Sequence, residues 1–143
     1  MKYSLPASLY WLTCVTGCSV ILDSSNFNPS ISKGTWFVKF YTPWCTYCNK
    51  LALEWFELSR KQASLKDKEF YFGEVDCEKN ALVCSQVNVK FYPTLFLFHN
   101  GVFIDSFDQD AVPELTAEAM DSYVTKKAEK YNPKKTYLKT FLL

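Results

Sequence analysis

Residues 37–48 constrain this chain more than any other stretch: Phe37-Val38-Lys39-Phe40-Tyr41-Thr42-Pro43-Trp44-Cys45-Thr46-Tyr47-Cys48. Val38, Phe40 and Tyr41 favour a buried, pleated strand. From Asn49 the period changes. Leu51, Trp55, Leu58 and Gln62 fall on one stripe of a helix. A C-x-x-C therefore stands where a strand hands over to a helix. Unpaired backbone N–H groups and the positive dipole end of that helix stabilise a thiolate there. Chemistry at a disulfide is the first expectation.

The 143 residues are enough for one domain with its own core, and 48% of them are apolar. The formal charge of +1 gives no electrostatic reason to expect a nucleic acid partner. Residues 1–19 differ from the rest. Lys2 is the only charge before Asp23, and an apolar run leads to small residues near Gly17 and Ser19. This is similar to a cleaved secretory signal. A packed or disordered arm is the alternative. Val15-Thr16-Gly17-Cys18 also has a faint likeness to a bacterial lipoprotein site. A membrane-spanning helix wants about 20 firmly apolar residues, which this segment does not supply.

Cys14 and Cys18 fall in or beside that leader, which leaves Cys45, Cys48, Cys77 and Cys84. An even number suits a disulfide framework in an oxidising compartment. A Cys77–Cys84 bridge closes a short loop and contributes about 2–3 kcal/mol. A four-cysteine zinc site fits poorly. Zinc pairs usually have two to four residues between ligands, and Cys77 and Cys84 have six between them.

Along the chain, Val20-Ile21-Leu22 reads as a strand and Phe27 to Ile31 as a brief helix. The pattern predicts a strand over 35–41, a helix over about 45–65, a strand over 70–75 and a helix over 79–86. Pro93 ends a connector. Strands over 94–98 and 102–107 then flank Asn100-Gly101, a strong hairpin signal. Pro113 is expected to open a last helix to about Lys130, with Leu115, Ala119, Tyr123 and Val124 inward. Residues 20–130 then form the domain, and 131–143 a basic, apolar-tipped tail. The order βαβαβαββα implies a mixed sheet with helices on both faces and an antiparallel C-terminal hairpin.

These residues together resemble the protein disulfide isomerase family. The resemblance is carried by Gly34 to Tyr41, by Pro43-Trp44 before Cys45 and Cys48, and by Leu51-Ala52 and Trp55. Val75-Asp76-Cys77, Tyr92-Pro93-Thr94-Leu95 and Asn100-Gly101 add to it. It covers about Val20 to Lys130 and implies a thioredoxin-like α/β three-layer sandwich. It implies that Cys45 is the exposed, attacking cysteine and Cys48 the buried, resolving one. Pro93 would be a cis proline facing them. Trp44, Tyr47, Tyr92 and Thr94 would meet the substrate. Cys77 and Cys84 would be a structural disulfide, with a second redox couple as the alternative. His99 reads as a solvated loop residue.

Four features depart from the family pattern. Thr46-Tyr47 replaces the common Gly-His between the cysteines, which removes a positive partner of the Cys45 thiolate. Lys39 stands where most members carry a buried Glu or Asp that moves a proton to and from the resolving cysteine. Lys39 could act as a base, stabilise the Cys48 thiolate as a cation, or snorkel out and do nothing. The family's arginine after the hairpin is not evident: Arg60 is the only arginine, and Phe107-Asp108-Gln109-Asp110 fills that segment. Leu53 replaces a helix-kinking proline.

The resemblance implies a thiol–disulfide oxidoreductase and isomerase of the endoplasmic reticulum lumen, or a secreted one. Its partners would be unfolded or misoxidised client proteins and a thiol-redox partner that the sequence does not name. It implies no metal, no organic cofactor, and no membrane insertion once the leader is removed. The rival from another class is a redox-inactive, chaperone-like client binder. Trp44, Tyr47, Phe91 and Tyr92 would supply its apolar surface.

Overall fold

The structure is a computed structural model that describes residues 18–107 and 115–131. Five strands form one mixed sheet in the order β1-β3-β2-β4-β5. They are β1 (Ser19–Leu22), β2 (Thr35–Tyr41), β3 (Phe70–Asp76), β4 (Thr94–His99) and β5 (Val102–Ser106). The helices are α1 (Phe27–Ile31), α2 (Thr46–Lys61), α3 (Ala81–Gln86) and α4 (Ala117–Lys130). β3 runs parallel to both β1 and β2, while β4 is antiparallel to β2 and β5. This is the expected three-layer α/β arrangement with its closing hairpin.

The alternation of β2 sorts the two cores. Phe37 packs with Leu51, Trp55 and Leu58 of α2 and with Met120 and Val124 of α4. Trp36, Val38 and Phe40 face the other way, toward Phe27 and Ile31 of α1 and Val83 and Cys84 of α3. Both faces of the central strand are buried, as a strand covered on both sides requires. By the same parity, Lys39 of β2 and Glu74 of β3 point to the face that α2 covers. No helix among the described residues is long and apolar enough to cross a membrane.

Several boundaries differ from those expected. α2 stops at Lys61, and Ala63–Lys68 is a 3-10 turn. That tighter turn still buries Leu65, whose spacing had extended the helical stripe. α3 begins at Ala81 rather than 79, because Asp76 holds the N–H groups of Glu78 and Lys79 in a turn. α4 begins at Ala117, where the Thr116 hydroxyl accepts from the N–H of Ala119. Pro113 lies outside the described residues. So do Asp108-Gln109-Asp110, nearly all of the expected leader and nearly all of the tail. Asn100 and Gly101 both have positive φ, 48° and 82°, as the tight hairpin requires.

Candidate active site

β2 ends at Tyr41, and Cys45 is the N-cap of α2. Its backbone is extended (φ −77°, ψ 116°), and its Sγ accepts the N–H of Cys48 at 3.1 Å. Its carbonyl accepts the N–H of Asn49 at 3.1 Å. Cysteine here takes the place usually held by Ser, Thr, Asp or Asn. The first turn of α2 holds no acidic residue. A negative sulfur at this point meets an aimed N–H, the positive end of a 16-residue helix, and no local repulsion.

Cys45 and Cys48 are joined as a disulfide. Cys45 is 8% exposed and Cys48 3%. Cys45 is thus more enclosed than its expected exposed position. It lies in the angle between the helix start and the Tyr92 loop, with its Sγ 3.6 Å from the Tyr92 carbonyl oxygen. The Tyr92–Pro93 peptide is cis. Pro93 is buried, and Tyr92 packs edge-on to Trp44 with ring centroids 6.1 Å apart. Around the sulfurs, Trp44 is 67% and Tyr47 73% exposed, and Phe91 is exposed as well. The Lys50 ammonium sits 5.6 Å from the Tyr47 ring centroid. The Thr94 hydroxyl donates to the Phe91 carbonyl at 2.6 Å. It braces the loop.

Lys39 does not snorkel. It is 4% exposed, and its Nζ lies 2.6 Å from the Glu74 carboxylate. β2 and β3 place the two residues directly opposite each other. Glu74 also accepts the Ser19 hydroxyl. The Lys39 ammonium lies 5.5 Å from the Trp55 ring centroid. Trp55 shares the buried stripe of α2 with Cys48 and Leu51. A partly buried carboxylate is therefore present beneath α2, carried by the neighbouring strand. Glu74 is the residue that reading one strand at a time misses.

Cys77 and Cys84 form the second disulfide, with Cα atoms 5.8 Å apart, a usual separation for such a bond. Both are buried between β3 and α3. His99 is not a solvated loop residue. It closes β4, its Nδ1 is 2.8 Å from the Thr35 hydroxyl, and its ring lies 4.6 Å from that of Tyr131.

Comparison with known proteins agrees with this geometry. The thioredoxin family profile matches residues 18–126. Protein disulfide-isomerase 5-1 of Arabidopsis thaliana is 36% identical over 113 residues, which cover 78% of this chain and 73% of that protein. The chain belongs to the thioredoxin family. Within it, this chain groups with the protein disulfide isomerases. The rice (Oryza sativa) protein disulfide isomerase-like 5-1 is 31% identical over 83% of this chain and 79% of its own length. Other relatives are longer: the chain spans 12% of an uncharacterized Schizosaccharomyces pombe protein to which it is 37% identical over 94 residues. Among solved structures, the first two thioredoxin domains of Saccharomyces cerevisiae Eps1p superpose with a TM-score of 0.70 at 23% identity. That match covers 90% of this chain and 43% of the other, and it bears on the fold alone.

Proposed function

We propose that this chain is a thiol–disulfide oxidoreductase and isomerase acting on client proteins in the lumen of the secretory pathway. The observation that carries the reading is the Cys45 sulfur, capped by the Cys48 N–H at the start of α2 and facing the Tyr92 carbonyl. A client thiolate attacks Cys45 Sγ and breaks the Cys45–Cys48 bond, and Cys48 leaves as a thiolate. A second client thiolate then attacks the client sulfur of the mixed disulfide. Cys45 departs as a thiolate stabilised by the helix end, and the client keeps the new disulfide. In the reverse direction the Cys45 thiolate opens a wrong client disulfide. Another client thiol, or Cys48, then resolves the intermediate. Trp44, Tyr47, Phe91 and Tyr92 supply the apolar contact for an unfolded client.

Resolution by Cys48 needs its proton removed in an enclosed place. We assign that task to the Lys39–Glu74 pair, which lies on the same face of the sheet. Its carboxylate offsets most of the lysine's field, so the pair is read as a proton acceptor rather than as a bare cation stabilising Cys48. The secretory lumen is supported by the Cys77–Cys84 bridge, which needs an oxidising compartment to form and persist. The Arabidopsis and rice relatives, named as protein disulfide isomerases, support the disulfide chemistry.

The test is insulin reduction by the full chain, by Cys45→Ser and by Cys48→Ser. Thiol-dependent turnover is expected from wild type and is lost in Cys45→Ser. Cys48→Ser should accumulate a mixed disulfide through Cys45, visible on a non-reducing gel. No turnover by wild type would overturn the enzyme reading and favour a client binder with an inert disulfide.

A further inference from the structure

A cavity of about 220 Å³ opens beside the Cys77–Cys84 disulfide and reaches Tyr92, and the chemistry above makes no use of it. Its lining includes Cys84, Ser85, Asn88, Lys90 and Tyr92. Tyr92 joins it to the reacting centre, because the same residue turns its carbonyl to Cys45 and its ring to Trp44. A client chain held to Cys45 through its own cysteine, and passing along Tyr92, would bring its neighbouring side chains toward this cavity. Extended residues advance about 3.3 Å each, so a side chain within about three residues of the client cysteine reaches it.

The lining indicates what that side chain is. Lys90 is its only charged residue, and no carboxylate lines it. Lys90 is exposed and makes no ion pair among the described residues. Ser85 and Asn88 add a hydroxyl and an amide, each able to donate. The walls are also held in shape. The Asn88 N–H donates to the Ser85 carbonyl, the Val89 N–H to the Cys84 carbonyl, and Cys84 is tied to Cys77. Asn88 takes the left-handed turn, φ 63°, that makes these bonds possible. A preformed cavity with polar donors and one unmatched cation favours an anionic guest.

We propose that this cavity is a specificity subsite that receives an Asp or Glu side chain lying close to the client cysteine. The subsite rests on the oxidoreductase reading, because it matters only while a client is joined to Cys45. It selects among clients and takes no part in bond making.

The experiment uses the chain reduced at Cys45–Cys48 with the Cys77–Cys84 bridge intact, and a set of end-blocked peptides, each with one intrachain disulfide. Asp, Asn or Lys is placed in turn at the three positions on either side of one cysteine. Each protein molecule reduces one peptide and becomes oxidised at Cys45–Cys48, so no other reductant is present. At one position or more, Asp should react about fivefold faster than Lys at low salt, as a single exposed charge contact allows. The preference should shrink in 1 M salt, as screening of an exposed contact requires, and reverse in Lys90→Glu. Equal rates for all peptides, Asn as fast as Asp, or a preference that survives Lys90→Glu would each overturn the subsite. Failure of wild type to reduce any peptide would instead overturn the oxidoreductase reading, and the subsite with it.

Discussion

The Sγ of Cys45 accepts the backbone N–H of Cys48 at 3.1 Å. One atom is thus both the cap of α2 and the proposed reacting centre. The bond is strongest when the sulfur carries a full negative charge. The fold therefore favours the thiolate by the same contact that starts the helix.

The Lys39–Glu74 pair should govern the second chemical step more than the first. Lys39→Met is expected to slow resolution of a mixed disulfide by Cys48 about tenfold or more, as loss of a positioned base does. Attack by Cys45 should change less. Rapid-mixing kinetics that separate the two steps check this, and equal effects on both would make Lys39 a bystander. Lys39→Met should also cost about 1–3 kcal/mol of stability, because it leaves a partly buried carboxylate with only Ser19. Adding Glu74→Gln should restore part of that loss in urea denaturation.

Removing the second bridge should weaken the whole domain. A double Cys77→Ala, Cys84→Ala variant is expected to lose about 2–3 kcal/mol, from the loop that the bond closes in the unfolded chain. Urea denaturation of the oxidised proteins measures it. The effect should disappear when wild type is compared after full reduction.

Acid should loosen α4 before the centre of the sheet. Burial raises the Asp105 carboxyl, but the hydrogen bond and charge of Lys127, with the Tyr123 hydroxyl, outweigh it and hold it below the usual carboxylate range. Hydrogen bonds from Lys61 and Gln62 hold Asp121 low as well. Burial first, and then the charge of Asp105, push the Tyr123 hydroxyl up, so it remains a donor. Carboxyls depressed in the fold contribute stability above their unfolded value of about 3.9. That contribution is lost as pH falls through the folded values. Amide exchange in α4 should therefore rise below about pH 4 ahead of exchange in β2. Asp105→Asn should flatten the dependence.

The sheet and the sulfur site were legible because their signals are contiguous. Seven strand residues, a C-x-x-C and a helical stripe follow one another without interruption from Thr35 to Leu58. Asn100-Gly101 was readable because a tight turn depends on its own two residues. What escaped depends on register between distant segments. Glu74 meets Lys39 only because β3 lies parallel to β2 with those residues opposed. His99 is held by Thr35 only because β4 pairs antiparallel to β2 at that point. Leu65 kept the helical spacing, yet the chain tightens after Lys61 into a 3-10 turn that buries the same residue. The cap at Thr116 carried a local signal, a hydroxyl followed by an acid, Glu118, in the first turn, but Pro113 drew the boundary too early.

The most direct test of the account is titration of the Cys45 thiol in the reduced chain. The rate of its alkylation is followed against pH by mass spectrometry at the Cys45 peptide, with Cys48→Ser as the reference in which Cys45 is the one thiol of the C-x-x-C. Because the Cys48 N–H and the start of α2 favour the charged sulfur, half-maximal reactivity is predicted well below the pH that an unperturbed cysteine requires. A profile that coincides with that of a free cysteine in a short peptide would contradict it.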